Sequence, residues 1–311
     1  MKNFADRLIE AVKKKGNPIC VGLDPRLAQI PTFIKRQALE MGETPTRAAA
    51  EAILIFNKGI IDAVANIVPV VKPQIAFYEI YGHDGIWAYQ ETLKYAQSKG
   101  LITIADAKRN DIGSTAAAYA QAFLGEISMF EDEKEVVMPI FDADSITINA
   151  YLGWDGVKPF IEECDKYGKG VFTLVKTSNP SSGDLQDLRV DDGNSVYEIM
   201  GQLLDSWGAD TVGESGYSLL GAVVGATYPD QAKKLRHIMP KSIFLVPGYG
   251  AQGGGAADVA PCFNKDGLGA VVNSSRGIIF AYEKMGMDEA AYAEAAHTAV
   301  LEMKEDLETI F

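Results

Sequence analysis

Short, largely β-branched apolar runs recur along the chain, and between them lie stretches whose apolar residues return at helical spacing. The runs are PICVGLD (18–24), VPVVKPQ (68–74), LITIADA (101–107), SITINAY (145–151), VFTLVKT (171–177), LLGAVVGAT (219–227), IFLVPGYG (243–250) and LGAVVNSS (268–275). The segments between them, such as TRAAAEAILIFNKGIIDAVANI, DGIWAYQETLKYAQSKG, GVKPFIEECDKYGKG and PDQAKKLRHIMP, read as amphipathic helices, several closed by Gly or Pro. Strands alternating with helices imply right-handed βαβ crossovers around a parallel sheet. An open doubly wound sheet shares that alternation. Eight units without a composition break or linker favour closure into one (β/α)8 TIM barrel domain over residues 1–311. Residues 125–143 and 178–193 are irregular and read as loop insertions.

The polar residues among these runs are not scattered. Asp24, Lys72, Asp106, Lys108, Asn149, Lys176, Thr177, Gly248, Asn273 and Arg276 all fall at or just past the C-terminal end of an expected strand. In a parallel barrel those ends meet on one face, where the βα loops build active sites. Solvation of loops explains any one of these residues, but not Lys72, which lies within the apolar stretch NIVPVVKPQIAF.

Composition narrows the function. The chain has 311 residues, 47% of them hydrophobic and 23% charged, as expected of a folded globular protein. A net charge of -13 argues against a nucleic-acid or anionic-membrane surface, though a local basic cluster could still hold a small anion. The opening MKNFADRLIEAVKKKG puts Phe4, Leu8, Ile9 and Val12 on one helical face and reads as a surface helix, not a signal peptide. No apolar run is long enough to span a membrane. Three dispersed cysteines and three histidines argue against a disulfide scaffold or a zinc site and suit a reducing cytoplasm.

The densest chemistry lies in LITIADAKRNDIGSTA (101–116). Strand alternation places Asp106 and Lys108 on one face, with Ala107 turned away and Asp111 in the following turn. With Lys72 from a neighbouring strand they form an alternating Lys-Asp-Lys-Asp cluster. A salt-bridge network closing the barrel end is the simplest reading, yet charges crowded into a cleft are costly unless they serve a function. A carboxylate beside the place of an anionic substrate group, next to an ammonium that can stabilise and protonate a carbanion, suits decarboxylation. A Schiff-base aldolase needs a neutral lysine, which flanking aspartates oppose. A magnesium lyase needs converging carboxylates, and Lys108 between two aspartates tends to exclude a cation. Two further stretches, PGYGAQGGGA (247–256) and NSSRGII (273–279), follow the seventh and eighth strands. Their glycine backbone, a helix start and Arg276 suit a phosphate.

These residues carry a resemblance. DAKRNDIGST resembles the Asp-x-Lys-x-x-Asp-Ile-x-x-Thr signature of orotidine 5'-phosphate decarboxylases, and VGLDPR, VVKPQIAFYE, PGYGAQGG and SSRGI resemble that family's other landmarks in the same order. The chain length and insertions are similar to the longer bacterial subgroup. The resemblance implies a charged tetrad of Lys72, Asp106, Lys108 and Asp111, with Lys108 protonating the carbon that loses CO2. It also implies that Asp24 and Thr115 hold the ribose hydroxyls, that Ser178 touches the pyrimidine, with Thr177 and Ser182 close by, and that Gly250, Gln252 and Arg276 grip the phosphate. Asp111 and Thr115 are expected to reach the neighbouring site of a homodimer, and no metal or organic cofactor is expected. Ser275 departs from the glycine that commonly precedes the phosphate arginine. A magnesium-dependent sugar-phosphate decarboxylase and a silent nucleotide-binding barrel remain the alternatives.

Overall fold

All eight apolar runs become strands of one closed parallel barrel in the computed structural model, which describes residues 1–130, 134–191, 193–250 and 254–311. In chain order the strands are β1 (Ile19–Leu23), β2 (Val70–Pro73), β3 (Ile102–Arg109), β4 (Glu126–Met129), β5 (Val136–Pro139), β6 (Ser145–Ile148), β7 (Gly170–Lys176), β8 (Ser218–Val224), β9 (Ser242–Val246) and β10 (Ala270–Ser274). The barrel closes in the order β1-β10-β9-β8-β7-β6-β3-β2, and every neighbouring pair is parallel. The expected (β/α)8 architecture is therefore the observed one.

The barrel strands are buried along almost their whole length because one face fills the barrel and the other is covered by helices. That double burial makes the runs apolar at successive positions. The helices carry their own boundary signals. Asn3 accepts from Ala5 N to start Phe4–Lys15, and left-handed Gly16 closes it. Thr44 caps Pro45–Val64 with a proline in its first turn, and a Ser195/Glu198 capping box opens Val196–Trp207.

The two stretches expected to be irregular differ from that expectation in part. Residues 125–143 contain an antiparallel hairpin, β4 with β5, pairing Ile127 with Met138. It stands away from the core, with Val137 and Met138 exposed, so burial imposed no alternating pattern by which to read it. Residues 178–193 contain two short helical turns, Pro180–Ser182 and Gly183–Gln186. Cys20, Cys164 and Cys262 are free and buried, and burial pushes the Cys20 and Cys262 thiols up to about 12. They are therefore poor nucleophiles. No helix among the described residues is long and apolar enough to cross a membrane.

Candidate active site at the barrel mouth

At the C-terminal ends of the strands lies a cavity of about 390 Å³, lined among others by Lys72, Asp106, Lys108, Thr147, Ser178 and Asn179. Lys72 is the third residue of β2, and its Nζ donates to Asp106 Oδ2 at 2.8 Å. Lys108 Nζ donates to the other oxygen, Oδ1, at 2.6 Å. One buried carboxylate thus bridges two ammonium groups.

Burial alone would push the Asp106 carboxyl up. The charges and hydrogen bonds of Lys72 and Lys108 outweigh it and hold the group well below the ordinary carboxylate range. Burial would likewise lower Lys72, but Asp106 and Asp24 outweigh it and the net displacement is upward. Both groups are therefore charged at neutral pH. Lys72 is spent on this pair, whereas the Lys108 side chain stays 46% exposed and can reach a bound molecule.

Simple strand alternation does not account for the meeting of Asp106 and Lys108. Lys108 adopts a left-handed backbone with φ 48°, and the pairing of β3 with β6 shifts register between Ala105 and Arg109. Thr147 of β6 holds this bulge. Its Oγ1 accepts from Ala107 N at 3.0 Å and Lys108 N at 3.1 Å, and donates to Asp106 Oδ1 at 2.8 Å. Sequence reasoning missed Thr147, because a threonine inside SITI reads as ordinary strand composition.

Asp24 follows β1, and its buried Oδ1 has no hydrogen-bond partner among the described residues. An orphaned acceptor this close to Lys72 is suited to a ligand hydroxyl. Asn273 Oδ1 and Ser275 Oγ are orphaned in the same way, beside Gly22, where a Cβ would come within 2.7 Å of Ser275. Asp111 and Thr115 are not drawn into the charged group. Asp111 Oδ1 accepts from Ile112 N, it pairs with neither lysine, and Thr115 is exposed on the helix Gly113–Leu124.

Lys176 was expected at the mouth, but it is not part of the cavity wall. A register shift between Leu174 and Lys176 accompanies its turn into the protein, where it pairs with Asp187 at 2.8 Å and faces the Tyr228 and Tyr197 rings. That pair ties residues 178–187 down beside the cavity. Of the three hydroxyls weighed for the ligand ring, Thr177 accepts from Gln186 and donates to Asn179, and Ser182 is not in the cavity wall. Ser178 lines the cavity, and its hydroxyl has no partner among the described residues.

β9 and β10 are neighbours, so the stretches after them share one side of the mouth. Gly248 and Gly250 hold φ of 102° and 72°, which glycine adopts freely, and Gly250 N donates to Gly254 O at 2.7 Å. Gln252 lies outside the described residues. Arg276 opens the short helix Arg276–Ile279, is exposed, and forms no ion pair among the described residues. Asp306, on the C-terminal helix Tyr292–Glu308, accepts from both Tyr249 Oη and Ala256 N and so secures both flanks of the glycine-rich stretch. Nothing in the sequence connects Asp306 to this loop. Among the described residues, no group of three or more His, Cys, Asp or Glu is placed to hold a metal ion.

Taken together, a closed (β/α)8 barrel with a Lys-Asp-Lys chain that runs from a buried Lys72–Asp106 pair into a cavity at the C-terminal ends of its strands defines a barrel enzyme. The chain belongs to the family described as orotidine 5'-phosphate decarboxylase / HUMPS, whose model matches residues 17–286. It is 45% identical to an orotidine 5'-phosphate decarboxylase of Rhodopirellula baltica over 311 residues, covering 99% of both chains. Among solved structures it resembles a Leishmania donovani OMP decarboxylase at 30% identity and TM-score 0.73, covering 99% of this chain and 98% of that one. It also resembles the Leishmania donovani UMP synthase at 32% identity and TM-score 0.75, where all of this chain spans 57% of the longer one.

Proposed function

We propose that this chain, as one barrel domain, decarboxylates orotidine 5'-phosphate to uridine 5'-phosphate and CO2 in pyrimidine biosynthesis, without a metal or organic cofactor. The observation that carries the reading is the Lys72-Asp106-Lys108 chain, whose one exposed ammonium opens into the cavity.

Both oxygens of Asp106 are held in place, so its negative charge cannot move away from a substrate carboxylate bound beside it. Losing that carboxylate as CO2 relieves the repulsion. The C–C bond electrons stay on the ring carbon, where the Lys108 ammonium stabilises them. Lys108 Nζ then transfers a proton to that carbon, the new C–H bond completes the product, and water restores the ammonium. Asp24, with its orphaned oxygen, and Thr115 are assigned to the ribose hydroxyls, and Ser178 to the pyrimidine. Gly250, Gln252 and Arg276 are assigned to the phosphate, whose binding energy lowers the barrier at the distant ring carbon.

Asp111 and Thr115 complete the neighbouring site of a homodimer in this reading, which accounts for their standing apart from the lysines of their own chain. The buried unpaired thiols and the net charge of -13 suit a cytoplasmic enzyme with no nucleic-acid or membrane partner. The test is to add orotidine 5'-phosphate to the purified protein with a chelator present and follow the ultraviolet change as orotate becomes uracil. Rapid conversion is expected. Turnover that needs added magnesium would instead favour a metal-dependent sugar-phosphate lyase.

A further inference from the structure

At the end of the barrel opposite the mouth, beside the starts of β9 and β10, lies a second cavity of about 520 Å³. Lys233, Arg236, His237 and Lys265 are in its wall, and no Asp or Glu among the described residues lines it. In a chain of net charge -13, cations gathered without an acid run against the overall balance. Lys233 and Lys265 are exposed and form no ion pair among the described residues. His237 Nδ1 is bonded to Lys233 O at 2.7 Å, which leaves its Nε2 free.

Arg236 makes this more than a pair of surface lysines. It is 6% exposed, and its guanidinium lies 3.6 Å from the centre of the Phe244 ring. Its Nε donates to Cys262 O at 3.0 Å, and its Nη1 donates to Met239 O at 2.8 Å and Ser242 O at 2.9 Å, with Pro240 O at 3.5 Å. Nη2 donates to Gly269 O at 2.8 Å. A guanidinium carries five N–H groups, so one on Nη2 is left without an acceptor among the described residues. Every partner is a neutral carbonyl, and none takes up the charge. Asp266, the one carboxylate whose charge acts on it, accepts instead from Leu268 N at 3.0 Å. Burial pulls the guanidinium down to about 10, so it stays charged at neutral pH. It also consumes the carbonyls of Met239 and Pro240, just past the helix Pro229–Ile238, and so spends the negative end of that helix. The cavity wall stays positive.

The rest of the wall describes what else a ligand would bring. Asn264 Nδ2 donates to Pro240 O at 3.0 Å and to Tyr217 Oη at 2.9 Å. A carbonyl only accepts, so the amide has one permitted orientation, and Oδ1 is left as an acceptor for a ligand donor. Pro240, Pro261 and Phe263 supply an apolar side. We propose that this cavity binds a nucleoside polyphosphate. Lys233, Lys265 and the spare Arg236 N–H take phosphate oxygens, the base lies against Pro261 and Phe263, and a hydroxyl or amino group donates to Asn264 Oδ1. A polyphosphate offers enough anionic oxygens for several cations to share, and the volume falls in the range of roughly 300–1,000 Å³ common for small-molecule sites. A long polyanion fits less well, because the net negative charge of the chain repels it. The proposal does not depend on the reaction at the mouth.

Calorimetric titration of ATP into the full chain, with a chelator present and uridine 5'-phosphate in excess to fill the mouth, tests it. One ATP per chain is expected to bind, more weakly as salt is raised. Inorganic tripolyphosphate carries the charge but has nothing to set against the apolar side, and is expected to bind about tenfold more weakly. Lys233→Glu combined with Lys265→Glu changes two exposed side chains, and is expected to weaken ATP binding at least about tenfold while the urea unfolding midpoint holds. These two positions are at the far end of the barrel from the mouth, so their effect locates the ATP whether or not the mouth is filled. No ATP binding, or binding untouched by the two charge reversals, would overturn the proposal. Tripolyphosphate binding as tight as that of ATP would overturn the assignment to a nucleotide.

Discussion

Lys72 Nζ lies 2.8 Å from Asp106 Oδ2, with only 6% and 9% of the two side chains exposed. Removing Lys72 leaves the buried Oδ2 of Asp106 without its partner while Lys108 and Thr147 still hold Oδ1, so Lys72→Met is expected to lower unfolding stability by about 2 kcal/mol at pH 7. Asp106 is depressed below its unfolded value near ~4, so its contribution is present above that pH and is lost as pH falls through the folded value. Lys72 is raised, so its contribution is present below ~10 and is lost only as pH rises through the folded value. The gap between wild type and variant should hold from about pH 5 to 9 and narrow progressively as pH falls below about 4. Urea unfolding at pH 7 and pH 3 measures it, and equal stabilities at pH 7 would refute the coupling.

Lys108 separates a backbone effect from a chemical one. Its φ of 48° costs a side-chain-bearing residue roughly 1–2 kcal/mol that glycine does not incur. Lys108→Gly should therefore be about 1 kcal/mol more stable than Lys108→Ala. Both should lose at least about a thousandfold in turnover, since both lack the proposed proton donor. A Lys108→Ala enzyme with near-normal turnover would remove Lys108 from the chemistry.

How far the sequence could be read follows from what each signal depends on. The strands were legible because each is a run of buried apolar residues, and Lys72 and Asp106 were legible because charge inside such runs is conspicuous. Thr147 was not, since threonine is common in strands and its use depends on a register shift in the neighbouring strand. Asp306 was not, since it meets Tyr249 across 57 residues of chain, from a helix of ordinary composition. Lys176 misled because its place at a strand end was read as the mouth, whereas the register shift accompanies its turn toward Asp187.

Asp111 tests assembly. Asp111→Ala and Lys72→Ala are each expected to be inactive, and a mixture allowed to exchange subunits is expected to regain partial activity. A heterodimer would hold one site with an intact lysine from one subunit and an intact aspartate from the other. Size-exclusion analysis with tagged subunits verifies that heterodimers form. Heterodimers that stay inactive would argue that Asp111 serves its own chain.

Thr147→Val keeps the shape of the side chain and removes its oxygen. The Ala107 and Lys108 amides, both bonded to Oγ1, then lose their acceptor. The expected costs are about 1–3 kcal/mol in stability and about tenfold in kcat, with KM little changed because no binding group has been removed. Turnover and urea unfolding measured on one preparation check both, and an unchanged kcat would show that the bulge holds without Thr147.

Asp306 offers a test at the phosphate end. It is exposed, so Asp306→Ala should change stability by less than about 1 kcal/mol. The Tyr249 hydroxyl and the Ala256 amide would both lose their acceptor, however, and the glycine-rich stretch between them would lose both of those ties to the C-terminal helix. Ordering that stretch around a phosphate should then cost more, and kcat/KM for orotidine 5'-phosphate is expected to fall about tenfold, mainly through KM. The nucleoside orotidine carries no phosphate for the stretch to hold, so its turnover, expected to be slow without that binding energy, should be unaffected by the substitution. Equal losses with the two substrates would mean that Asp306 supports the barrel mouth as a whole and not the phosphate loop.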